Sequence, residues 1–99
     1  MALTWSDKSR RDHSGKVVST SYRAQIPHWG EASIHPHIHH PGELFLDCPA
    51  LGIDMHPLGQ LLAEDAWDPA EAVLMRALKE HGIWCLEAMA VIGSPEDGV

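Results

Sequence analysis

Apolar positions along the chain fall into two periodicities, one of two residues in the first half and one of three to four in the second. The run Lys16–Ile26, KVVSTSYRAQI, is rich in β-branched residues and free of glycine and proline, so it predicts a strand. Pro27 to Gly30 breaks it. A second extended run follows over Glu31–His40, with Ile34 and Ile38 at a spacing that suits one strand face. Pro36 has no N–H to give to a ladder, which places this strand at an edge. Pro41–Gly42 signals a turn, and Gly42–Cys48, GELFLDC, predicts a third strand with Leu44, Leu46 and Cys48 on one face. Leu51, Ile53 and Met55 alternate with Gly52 and Asp54 and suggest a further short extended piece.

The period then changes. Asp68 reads as a helix N-cap, Pro69 as the first helical residue and Glu71 as the far side of a capping box. Ala70, Val73, Leu74, Ala77, Leu78 and His81 form an apolar stripe at helical spacing. Gly82 has the residue type that ends helices, so the stripe is expected to stop there. Ile83–Ile92 is almost wholly apolar and suits either a buried last strand or a second helix containing Glu87; Gly82 favours the strand.

These elements predict an α+β domain. A small antiparallel sheet of three to five strands, in the order β-β-β-(β)-α-β, would bury its apolar face under one helix. Residues 15–93 form the expected domain, with a polar, basic, flexible leader over 1–14 and a tail over 94–99. With 99 residues the core must be modest, and dimerisation would add to it. No apolar run approaches the length of a membrane span, and the first residues lack the apolar core of a secretory signal, so a cytoplasmic protein is expected. Cys48 and Cys85 show no CxxC spacing and read as free thiols.

Charge narrows the partners. The net charge is −7, but residues 1–30 carry five Lys or Arg against two carboxylates, and residues 31–99 carry two against twelve. An acidic body repels a phosphate backbone, so direct nucleic-acid binding is not expected. It attracts a basic protein surface instead. The carboxylates Asp54, Glu64, Asp65 and Glu80, with Trp67 as an aromatic anchor, are the expected contacts. Cys48 and His56 offer the residue types of a nucleophile and base, but Cys48 lies in phase with Leu44 and Leu46 and is expected to be buried.

The stretch GELFLDCPALGI followed by DAWDPAEAVLMRAL resembles small HicB-type antitoxin domains, phage and plasmid modules in which a strand ends in a (V/C)P-x-L-x-G corner ahead of an acidic helix. Here the corner would be Cys48–Ile53 and the helix start Asp65–Ala72, with the likeness covering residues 32–81. The resemblance implies a β-β-β-α module that works by binding a protein, as an antitoxin or a phage-encoded inhibitor does. No helix-turn-helix or ribbon-helix-helix segment accompanies it.

Histidines 35, 37, 39 and 40 fall in IHPHIHHPGE. On one strand His35, His37 and His39 would share a face, and with Glu43 or His56 they make a candidate site for one divalent transition metal such as zinc or iron. His37-x-His39-x-x-x-Glu43 also resembles the first metal motif of cupins, without the later P-x-G-x-x-H. A solvated edge strand explains the same residues without a metal. The sequence therefore favours a non-enzymatic acidic binding module, with a small metal protein, and possible metal-dependent enzyme, as the alternative and a self-associating structural subunit as the third reading.

Overall fold

In the computed structural model, which describes residues 3–37, 39–61 and 63–93, the first half of the chain is a meander. Its strands are β1 (Ser6–Asp7), β2 (Arg10–Arg11), β3 (Val17–Ser19), β4 (Tyr22–Ile26), β5 (Gly30–His37), β6 (His40–Cys48) and β7 (Ile53–Gly59). A five-stranded antiparallel sheet has the order β1-β4-β5-β6-β7, and β2 pairs with β3 in a separate small ribbon. The fold is α+β as expected, with one helix on one face of the sheet.

Strand alternation builds the core. Tyr22, Ala24 and Ile26 from β4, Ala32 and Ile34 from β5, and Leu44, Leu46 and Cys48 from β6 are buried on one side of the sheet. Ala66, Ala70 and Leu74 close it from the helix side. The extended run expected over Lys16–Ile26 is interrupted at Thr20–Ser21 and serves two sheets. Pro36 sits in β5, an inner strand, and the ladder accommodates it with a register shift at Pro36–His37.

Part of the leader joins the fold. Ser6 and Asp7 pair with Arg23 and Tyr22, and Trp5 is buried in the core. Of the expected tail, residues 94–99 lie outside the described residues, as do Ile38 and Leu62.

The Cys48–Gly52 corner is a single 3-10 turn, Pro49–Leu51. It closes on Gly52, whose φ of 72° lets its N–H reach the Pro49 carbonyl at 3.0 Å. Leu51 points into the core from this turn, which is why the corner packs tightly under β6.

The helix α1 (Trp67–Ile92) corrects three expectations. It starts one residue before Asp68, after a 3-10 turn over Ala63–Ala66, so its N-cap is Ala66 and no side chain caps it. Asp68 sits in the first turn, where its charge meets the positive helix end, and Pro69 occupies a position whose N–H would have no intrahelical acceptor. Glu71 forms no capping box: its Oε2 accepts the Leu3 N–H at 3.0 Å and the Trp5 indole N–H at 2.8 Å.

The helix also runs through Gly82. The last strand expected over Ile83–Ile92 is the second half of α1, which ends with the Gly93 N–H donating to the Met89 carbonyl at 2.8 Å. One interior glycine costs a helix about 1 kcal/mol, and the strong helix formers Leu86, Glu87, Ala88, Met89 and Ala90 outweigh it. Twenty-six residues span about 39 Å. The sheet supports only the first part of that length, and the molecule measures 68 × 23 × 21 Å.

Candidate functional site

Two surfaces carry unusual chemistry. The first is the sheet face turned away from the helix. His35 in β5 stands beside Asp47 in β6 and bonds it through Nε2, while its Nδ1 lies 3.0 Å from the Pro36 carbonyl. Partial burial disfavours the imidazolium, but the bonds to Asp47 and to the Pro36 carbonyl outweigh it and raise the His35 pKa above its usual value. Both ring nitrogens face acceptors, which the doubly protonated ring satisfies.

Asp47 is placed by more than histidine. Its Oδ1 accepts the Met55 N–H at 2.6 Å, and Met55 has a left-handed φ of 51° at an irregular step of the β6–β7 ladder. Burial pushes the Asp47 carboxyl up, but the Met55 N–H and His35 hold it below its usual value. Asp47 thus fixes both a strained backbone position and the His35 ring.

The histidines predicted as metal ligands are gathered only in part: the His37 ring lies 5.3 Å from that of His39 and 5.4 Å from that of His40, centroid to centroid. His35 is engaged by Asp47. The Pro36–His37 shift breaks the strand alternation, and His39 lies in the turn rather than on the strand, its N–H donating to His37 Nδ1 at 3.1 Å. His37 and His40 face each other across the hairpin and stack around Phe45, with centroids 6.2 and 5.7 Å from it. Glu43 is 4.0 Å from His40. His56 pairs with Leu46 and therefore lies on the opposite side of the sheet from Phe45 and His35. Among the described residues no group of three or more His, Cys, Asp or Glu side chains is placed to hold a metal ion. Cys48 is fully buried, and burial pushes its thiol up, away from a nucleophile's range.

The second surface is the far half of α1. Trp29 at the β4–β5 hairpin tip, His81 and Trp84 stack in sequence, with centroids 5.0 and 4.8 Å apart. Beyond this aromatic bracket the helix leaves the sheet. Ile83, Trp84, Leu86, Met89, Val91 and Ile92 are between 55% and 80% exposed. So much exposed apolar surface on one segment is uncommon on a monomer. Glu87 is the sole charge within Ile83–Ile92 and follows Glu80 by seven residues, so the two carboxylates share a face.

The expected contact carboxylates Asp54, Glu64, Asp65 and Glu80 are exposed, spread over β7, the 3-10 turn and the helix. Trp67 is not an outward anchor. It packs edge-on to Tyr22 at 5.4 Å, with its indole N–H buried and unpartnered among the described residues. Trp84 is the exposed aromatic residue, and sequence reasoning missed it by ending the helix at Gly82. The helix-forming composition of residues 86–90 was the signal that could have found it.

Compared with known proteins, the chain matches no family model, no curated protein and no solved structure. The likeness to antitoxin domains therefore rests on the corner and helix-start residues alone. None of the described helices is long and apolar enough to cross a membrane.

Proposed function

We propose that this chain is a non-enzymatic protein-binding module that takes hold of a protein with a basic surface, in the manner of an inhibitor that neutralises a nucleic-acid-binding protein. The observation that carries this reading is the projecting end of α1, where Trp84 and Val91 stand exposed beside Glu80 and Glu87. An aromatic anchor flanked by carboxylates suits a surface rich in lysine and arginine, through cation–π contact and charge pairing. Asp54, Glu64 and Asp65 extend the acidic field over the body and would raise the rate of encounter.

The test is a salt-titrated binding measurement against a panel of basic proteins and arginine-rich peptides. Glu80→Lys with Glu87→Lys should weaken binding about tenfold or more at low salt and flatten its salt dependence. Trp84→Ala should weaken it at every salt concentration. Binding that ignores both changes, or no binding to any basic partner, refutes the reading.

A further inference from the structure

We infer that the other side of the projecting helix is covered by a second copy of this chain, running antiparallel, so that the protein is a symmetric dimer closed on Gly82 and Cys85. The inference goes beyond the binding reading and uses different residues. Met75, Leu78, Gly82, Cys85, Met89 and Ile92 follow one another at spacings of three and four residues, the heptad pattern of a helix–helix seam. Among the described residues this seam carries no charge, and Glu80 and Glu87 lie on the opposite side of the helix. Met75, Gly82, Cys85, Met89 and Ile92 are exposed and Leu78 is half-buried, so the stripe stands open although the adjacent stripe of Ala70 and Leu74 packs on the sheet.

The seam is complementary to itself in one orientation. Pairing two copies antiparallel sets Met75 against Ile92, Leu78 against Met89, and Gly82 against Cys85, and the two-fold axis repeats each layer. Large residues meet large ones at the ends, and the two small residues meet at the centre. A β-carbon built on Gly82 would find nothing within 4 Å in the single chain, so this glycine leaves room for a neighbouring helix to approach closely. That gives a mid-helix glycine a purpose its propensity does not.

The base of the helix offers a receiving site. A cavity of about 110 Å³ is lined by Leu3, Ile26, Glu71, Leu74, Met75 and Leu78, at the height where the partner's Ile92 would arrive. The antiparallel orientation also places the two acidic bodies at opposite ends of the helix pair, whereas a parallel one would set them side by side. Lys79 flanks the seam and its stem can lie over Leu86 of the other copy.

Surface area points the same way. The chain exposes 7040 Å². A folded monomer of 10.9 kDa is expected to expose about 5,600 Å², roughly 1,400 Å² less. That excess belongs to a single copy and exceeds the roughly 800 Å² that each partner of a standard stable interface buries, so one helix–helix contact can be accommodated within it. The sheet edges are poor alternatives: β1 has two residues, and β7 contains left-handed Met55 and Pro57.

The test is sedimentation equilibrium of the full chain, followed by site-directed cross-linking. The wild type should be a dimer at tens of micromolar. Met89→Glu should weaken association about 100-fold or more with the circular dichroism signal of the sheet retained, because it would bury an unpaired charge. Gly82→Ala gives a double-signed result, raising the thermal midpoint of the dilute monomer while weakening the dimer. In a Cys85→Ser background, Met75→Cys combined with Ile92→Cys should oxidise to cross-links joining position 75 of one copy to position 92 of the other. A monomer at several hundred micromolar, an unaffected Met89→Glu dimer, or links joining like positions each overturns the inference. A monomer that still binds a basic partner through Glu80 and Glu87 overturns only the dimer, and a dimer that binds none overturns only the binding reading.

Discussion

A single oxygen of Glu71 accepts hydrogen bonds from both the Leu3 backbone N–H and the Trp5 indole N–H, joining the start of the chain to the first turns of α1 across more than sixty residues. Trp5 is buried, so its N–H has little access to water if the carboxylate is lost. An orphaned buried donor costs about 1–3 kcal/mol. Glu71→Ala should therefore lower stability by about 2 kcal/mol in urea unfolding, and Glu71→Gln, which keeps an acceptor oxygen, by much less. Trp5→Phe should abolish most of the difference between those two variants; an undiminished difference would assign the effect to Leu3 instead.

The His35–Asp47 pair gives stability a defined pH dependence. The His35 pKa is raised from 6.5, so its contribution is complete below that value and is lost as the pH climbs through the folded-state pKa. The Asp47 pKa is lowered from 3.8, so its contribution is present above that value and is lost as the pH falls through the depressed folded-state pKa. Both act together between roughly pH 4 and 6.5. Thermal melts of the wild type against His35→Gln should differ by about 1 kcal/mol near pH 5.5, shrinking toward pH 9. A difference constant from pH 5 to 9 would show that the imidazolium contributes nothing.

Gly52 ends the corner at a φ of 72°, and an added β-carbon there meets nothing within 4 Å. The cost of a side chain is thus confined to the backbone. Gly52→Ala should lower stability by about 1 kcal/mol and the melting temperature by about 4–8 °C, with Gly52→Asn milder because asparagine tolerates the left-handed region. Equal melting temperatures for all three would mean the turn relaxes into another geometry.

The sheet was legible in the sequence because its alternation is regular where it matters: Leu44, Leu46 and Cys48 face the core as their spacing requires. The helix stripe through Leu74 was legible for the same reason. What failed were readings based on one residue type at one position. Gly82 resembled a helix end, but local composition on both sides favoured continuation. Asp68, Pro69 and Glu71 resembled a capping box, but the Glu71 side chain is drawn to Trp5, a contact that no local pattern encodes. Among the histidines, His39 lies in the turn rather than on the strand, with its ring still 5.3 Å from that of His37, and His35 is engaged by Asp47, a partner that no local pattern encodes.

The aromatic bracket of Trp29, His81 and Trp84 divides α1 into a part held by the sheet and a part held only by its own hydrogen bonds. In an isolated chain, amide hydrogens up to the bracket open to solvent exchange with the global unfolding of the core. Those beyond Gly82 exchange through fraying that leaves the sheet untouched. Two rates within one continuous helix make the distal amides a direct gauge of occupancy, since whatever covers that surface slows them without altering the others.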